Sequence, residues 1–277
     1  HNLHGVDIDL RACQLAAFNL YLKARGRADE FGNNSFNLSD LGIVCSDANI
    51  DEVDYAEKVF DEVAEDESVR ETLQDILDSF EDKKGLGSLL DVRTALSDEF
   101  LKEQTKITDD WDDKESLSSF LDRLRKTIKQ RDAESFLAQD LRSFLRLLAI
   151  LSDNYDIALM NPPYGSQRRM PESVKSYVRE NYQYHPEYYI NFFEVCERLV
   201  KEDGRIGMLV PRSFMFNQSF EQFRSDFIGE RGNFDFLAEF GLGILDNATV
   251  RTAGTVVRAG RASQNREGTF FRLHDVE

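Results

Sequence analysis

One run of eleven residues constrains this chain more tightly than any other part of it. Tyr155-Asp156-Ile157-Ala158-Leu159-Met160 is a nearly unbroken apolar stretch of strand length. Such a run predicts a parallel strand covered on both faces rather than a half-exposed, alternating one. Asn161-Pro162-Pro163-Tyr164-Gly165 follows at once. Neither proline can donate to a ladder, so the chain must leave the sheet here. Open α/β sheets place their ligands at this carboxyl edge. Asn161 stands at the strand tip with an amide that both accepts and donates, and the Pro162 carbonyl stays free to accept. Tyr164 adds a flat aromatic face, and Pro163 and Gly165 shape the loop that would receive a substrate. Two acceptors and a ring suit the holding of a planar group by its exocyclic amine. Taken alone, the pentapeptide is equally a rigid turn with an Asn cap.

The rest of the chain supplies context for that loop. Leu3-His4-Gly5-Val6-Asp7-Ile8-Asp9 predicts a strand ending in two carboxylates, followed by a helix over 10–24 with Cys13, Ala16, Ala17 and Leu20 at helical spacing. A carboxylate at such a strand tip accepts hydrogen bonds from ribose hydroxyls in nucleotide-binding sheets. Asp9 is also well placed to cap the helix. Leu41–Cys45 predicts another short strand, with Asp47 just beyond its end.

Between Asp51 and Asp153 the pattern is helical throughout. Val59/Val63, Leu73/Ile76/Leu77/Phe80, Leu117/Phe120/Leu121/Leu124 and Phe144/Leu145/Leu148 recur at three- and four-residue spacing. This predicts an inserted helical bundle over 51–153, between core segments 1–50 and 154–277. The insertion holds 28 acidic against 15 basic residues, most of the chain's net charge of −17. Its acidic faces are most simply solvated, with docking of a protein partner as the alternative.

Beyond the loop, Arg168 and Arg169 form a local basic patch suited to phosphates, or a plain surface loop. Helices are expected from Pro171, over 188–200 and over 217–229. Strands are expected over 205–210, 235–240, 252–258 and 269–273, the last two as a closing antiparallel pair. A nucleic-acid surface needs clustered Lys and Arg, and the linear sequence shows no broad basic face. Binding of DNA would then rest mostly on regions outside this chain. Cys13, Cys45 and Cys196 are scattered without metal spacing and read as reduced thiols of a cytoplasmic protein, with no metal implied. No apolar run approaches membrane-spanning length. The chain starts at His1 inside a patterned segment, as a piece of a longer protein would.

Asn161-Pro162-Pro163-Tyr164 after a strand resembles the catalytic motif of the N6-adenine DNA methyltransferases, and Gly5-Val6-Asp7-Ile8-Asp9 resembles their cofactor-side strand. The order of segments is similar to the gamma class of these enzymes, of restriction–modification or phage-defence type. The resemblance implies a Rossmann-like α/β sheet that binds S-adenosyl-L-methionine, here lacking its first strand and the Gly-rich loop that would precede His1. It implies Asn161, Pro162 and Tyr164 in catalysis, and Asp7, with Asp9, at the ribose. Asp47 would accept from the cofactor's adenine amine. Double-stranded DNA is the implied partner. In this family the segment before the last strands usually carries an aromatic residue that stacks on the target base. Here Leu242-Gly243-Ile244-Leu245-Asp246-Asn247-Ala248 carries none. Two other readings use the same residues: methylation of a protein glutamine or an RNA base, and a non-catalytic module that docks through its acidic bundle.

Overall fold

A computed structural model describes residues 3–33, 35–37, 41–46, 59–82, 87–105, 117–130, 136–165, 170–184, 187–244, 250–260 and 267–273. The chain forms two compact units, His1–Ser152 and Asp153–Glu277.

The first unit opens with β1 (His4–Asp7), helix α1 (Leu10–Glu30) and β2 (Gly42–Cys45). β1 and β2 pair in parallel, with Val6 opposite Val44 and Asp7 opposite Cys45. The buried Cys13 thiol reaches the carbonyls of Asp7 and Val44 at 3.7 and 3.4 Å, fastening α1 across the two strand ends. Burial pushes that thiol up to about 11, so it stays a neutral packing group. Helices α2 (Glu67–Asp82), α3 (Val92–Thr105), α4 (Leu117–Gln130) and α5 (Phe136–Ser152) follow. The apolar stripe meets in one core: Val59, Val63, Leu73, Leu77, Phe120 and Phe144 are buried. Spacing of three and four residues puts these side chains on one helical face, and burying that face is what holds such short helices together.

The second unit is a five-stranded sheet in the order β3-β4-β6-β5-β7, formed by Tyr155–Met160, Val200–Pro211, Thr252–Ala259, Gly232–Gly241 and Thr269–Arg272. β3 runs parallel to β4, with Ala158 opposite Ile206 and Met160 opposite Met208. β6 is antiparallel to both β4 and β5. Helices α6 (Glu172–Asn181) and α7 (Tyr188–Leu199) lie between β3 and β4 in the chain, and a π-helical segment, Phe223–Arg231, leads into β5. One sheet face is packed: Phe193, Phe214, Phe223 and Phe227 form a chain of ring contacts with centroids 5.1–6.3 Å apart. Ile206, Met208, Val210 and Val257 are buried with them.

Two expectations are corrected here. β3 is not covered on both faces, because Ile157 is 59% and Leu159 79% exposed. An apolar run states that both sides tolerate burial; it does not state what covers them. The expected closing antiparallel pair over 252–258 and 269–273 does not form either. β6 inserts between β4 and β5, and β7 joins β5 in parallel, with Glu239 opposite Arg272. Chain neighbours pair by default only when a short turn joins them, and residues 260–268 are long enough to carry the chain past β5. Among the described residues β1 and β3 each keep one edge without a ladder partner.

Candidate active site

The carboxyl ends of β3, β4, β5 and β7 and the amino end of β6 all meet at one edge of the second unit's sheet. Asn161 emerges there from β3. It is exposed, and neither its amide nor the Pro162 carbonyl has a hydrogen-bond partner among the described residues. Pro162 is buried and Pro163 exposed, so the first proline seats the loop while the second faces outward. Half-buried Tyr164 donates its hydroxyl to the Leu209 carbonyl at 2.9 Å, which ties the loop to the neighbouring strand. Burial raises this phenol to about 12, so it remains a donor at any physiological pH. The Gly165 carbonyl accepts from the Tyr188 amide at 3.2 Å, binding the loop's end to the start of α7. The result is a loop held at both ends, with the Asn161 amide and the Pro162 carbonyl left without partners among the described residues.

Asn161 closes one end of an open apolar trough of about 450 Å³ on the uncovered sheet face. Its floor is made by Gly207 and Gly254. A β-carbon at Gly207 would come within 2.5 Å of Leu159 Cδ2, and one at Gly254 within 2.7 Å of the Phe240 ring. At both positions side chains of the neighbouring strands lie across the glycine, so a larger residue would have to displace them.

The turn after β4 is equally constrained. Arg224 Nη1 donates to the carbonyls of Phe214 and Asn217 at 2.7 and 2.8 Å. Tyr189 and Ser213 share a hydroxyl hydrogen bond of 3.0 Å, and burial pushes the Tyr189 phenol up. Arg212 pairs with Glu239, whose side chain is only 4% exposed, and Arg272 Nε lies 3.3 Å from the same carboxylate. The Arg212 guanidinium also lies 5.4 Å from the centroid of the Phe216 ring, which is 57% exposed. Phe216 is an aromatic at the edge where 242–248 offers none. Leu242 and Ile244 are exposed there, and residues 245–248 lie outside the described ones.

The remaining predicted residues lie elsewhere. Asp7 and Asp9 belong to the first unit. Asp7 is exposed at the tip of β1, where Oδ1 accepts from the Asp9 amide at 2.8 Å. Asp9 caps α1, accepting from the Arg11 amide at 2.9 Å, and the Arg11 hydrogen bonds hold its carboxyl below the usual range. Asp47, Arg168 and Arg169 lie outside the described residues. Sequence reasoning missed Arg212, Glu239, Arg251 and Arg272. Glu239 alone left a signal, an acid set between the apolar run Phe236-Leu237-Ala238 and Phe240; its partners are 27 and 33 residues away in sequence.

Comparison with known proteins adds an independent line. The family model described as Eco57I restriction-modification methylase matches residues 1–241. The "Adenine-specific methyltransferase PglX" of Lacticaseibacillus casei (strain Zhang) is 28% identical over 237 residues, covering 80% of this chain and 17% of that protein. The "Adenine-specific methyltransferase BrxX" of Escherichia coli O9:H4 (strain HS) is 25% identical over 296 residues, covering 99% of this chain and 23% of that protein. The chain thus spans less than a quarter of the length of these relatives. A crystal structure of a putative class I S-adenosylmethionine-dependent methyltransferase from Listeria monocytogenes is 15% identical, covering 79% of this chain and 85% of that one, with a TM-score of 0.36. A superposition that loose decides nothing further.

Proposed function

The chain belongs to the Eco57I restriction-modification methylase family, and on that premise we propose that it is part of the catalytic core of an N6-adenine DNA methyltransferase. The observation that carries this reading is the free pair of acceptors at the end of β3, the Asn161 amide and the Pro162 carbonyl. An exocyclic adenine amine is a poor nucleophile because its lone pair is conjugated with the ring. The Asn161 side-chain oxygen and the Pro162 carbonyl would each accept one amine hydrogen, which favours the pyramidal nitrogen that can attack. Positioning of this kind supplies about 7–11 kcal/mol of barrier reduction when the geometry is right. The same acceptors oppose the positive charge that develops on nitrogen. Tyr164, fixed through its hydroxyl, presents a ring on which an extruded base can stack, worth about 1–3 kcal/mol.

S-adenosyl-L-methionine, when bound, supplies an electrophilic methyl group. The fit on this chain's side is the exposed Asp7 carboxylate, which has an oxygen left to accept from ribose hydroxyls after the Asp9 amide is served. Asp47 completes that reading as the acceptor for the cofactor's adenine amine. Arg168, Arg169, Pro163 and Gly165 would line the path of the DNA strand. No described helix is long and apolar enough to cross a membrane, in keeping with work on DNA in the cytoplasm. Docking of a protein partner on the acidic helices remains a proposal of the same kind.

The decisive experiment is Asn161→Ala in the full-length protein. Methyl transfer to DNA, followed as N6-methyladenine by base analysis, is expected to fall by about 10²–10³-fold, with affinity for S-adenosyl-L-methionine unchanged. Near-normal turnover, or a methylated product other than adenine, overturns the assignment. Asp7→Ala is expected to weaken S-adenosyl-L-methionine binding by calorimetry, and Asp9→Ala to weaken it less.

A further inference from the structure

The chain as a whole carries a net charge of −17, yet the edge that bears Asn161 is locally basic. Register explains how. β6 runs antiparallel to β4, placing Thr252 opposite Pro211, so Arg251 sits beside Arg212. β7 runs parallel to β5, placing Arg272 opposite Glu239. Two arginines from distant parts of the sequence therefore share a single carboxylate, Glu239, and Arg251 joins them at the same edge through its place beside Arg212.

Their environments differ. Arg212 is 28% exposed and committed to Glu239. Its backbone amide donates to the Arg251 carbonyl at 3.0 Å. This bond pins the Arg251 main chain at the start of β6 while its side chain stays exposed, with no hydrogen bond or ion pair among the described residues. Arg272 shares Glu239 through Nε alone and is 55% exposed, leaving its terminal nitrogens for another acceptor. A guanidinium held on a fixed backbone, without a carboxylate of its own, is suited to bidentate capture of a phosphate.

We propose that Arg251 and Arg272 are positioning residues that grip phosphates of the duplex DNA whose adenine enters the Asn161 loop. The proposal rests on the methyltransferase reading for the identity of the nucleic acid. It goes beyond that reading in placing a backbone contact within this chain, on the strands that flank β5. Contacts of this type set register and carry no base information.

The test is the salt dependence of DNA binding by the full-length protein, measured with a fluorescent duplex and, in parallel, with one of unrelated sequence. Each phosphate contact contributes about 0.9 to the slope of log affinity against log salt, or roughly eightfold in affinity between 1 M and 0.1 M salt. Arg251→Ala is expected to lower the slope by about 1 on both duplexes, and the double variant with Arg272→Ala by about 2. Arg251→Lys is expected to keep the wild-type slope, and Lys201→Ala, the same charge loss at the opposite end of the sheet, to leave it unchanged. KM for DNA should rise in Arg251→Ala while single-turnover rate at saturating DNA holds. An unchanged slope in both arginine variants overturns the proposal. Because this readout is binding, it stands apart from the catalytic reading: an unchanged slope beside an inactive Asn161→Ala removes the grip and keeps the methyltransferase. A shifted slope in a protein that methylates no DNA does the reverse.

Discussion

The two ends of the five-stranded sheet spend their charges differently. At the amino end of β4, Lys201 pairs with Asp156 at 2.8 Å, while Arg205 and Arg258 share Asp235 at 3.2 and 3.0 Å. Each of these three cations has a carboxylate, and the pairs do no more than tie strands of the sheet together. At the carboxyl end the hydrogen-bonded carboxylate is Glu239, buried and divided between two arginines, while Arg251 has no ionic partner among the described residues. Asn161 leaves the same end with no partner for its amide among the described residues, and Phe216 stands exposed against Arg212. An edge that satisfies its polar groups internally is scaffold. An edge that leaves acceptors, donors and an aromatic face open, on loops clamped from behind, is built to receive something.

Variants at matched positions on the two ends can break this comparison. The largest contrast is in activity: Asn161→Ala should lose about 10²–10³-fold in methyl transfer, whereas Asp156→Ala should stay within about twofold, since exposed pairs contribute roughly 0–1 kcal/mol. Equal losses would mean that the edges are not functionally distinct. Next comes stability. Glu239→Ala leaves Arg212 partly buried without its carboxylate and should cost about 2–3 kcal/mol in urea unfolding. Asp235→Ala, removing a carboxylate that is 23% exposed against 4% for Glu239, should cost about 1 kcal/mol, and a reversed order would contradict the burial argument.

A smaller effect is expected at Tyr164. Tyr164→Phe removes the hydroxyl's bond to the Leu209 carbonyl and should cost about 0.5–1.5 kcal/mol, while keeping the ring and most of the activity. This group also provides a pH signature. Its folded value is raised to about 12 from 10.0, so its contribution is complete below pH 10 and is lost as pH rises through 12. Wild-type stability should therefore decline more steeply than that of Tyr164→Phe across this interval. Parallel curves would show that the phenol is not sheltered as described.

Much of the architecture was legible from local pattern. The helical spacing of Leu73, Leu77, Phe120 and Phe144 foretold side chains that are buried together. Asp9 as cap and Asn161 as the residue leaving the strand tip followed from the chemistry of their own neighbours. Two features were misread for one reason. The apolar run of β3 and the pair 252–258 and 269–273 were interpreted from what lies next to them in the chain. Their faces and partners are set by segments far away.

By itself, then, the sequence determined the strand-and-proline loop, the helix periodicities and the strand-tip carboxylates, because each depends on residues within a turn or two of one another. Only the tertiary structure decided that β6 runs between β4 and β5. That choice brings residues 212, 239, 251 and 272 to one edge, and it makes a locally basic surface on an acidic chain. Strand order is a global minimum over ladders and buried faces. Charge at an edge is a consequence of that order, and no window along the sequence contains it.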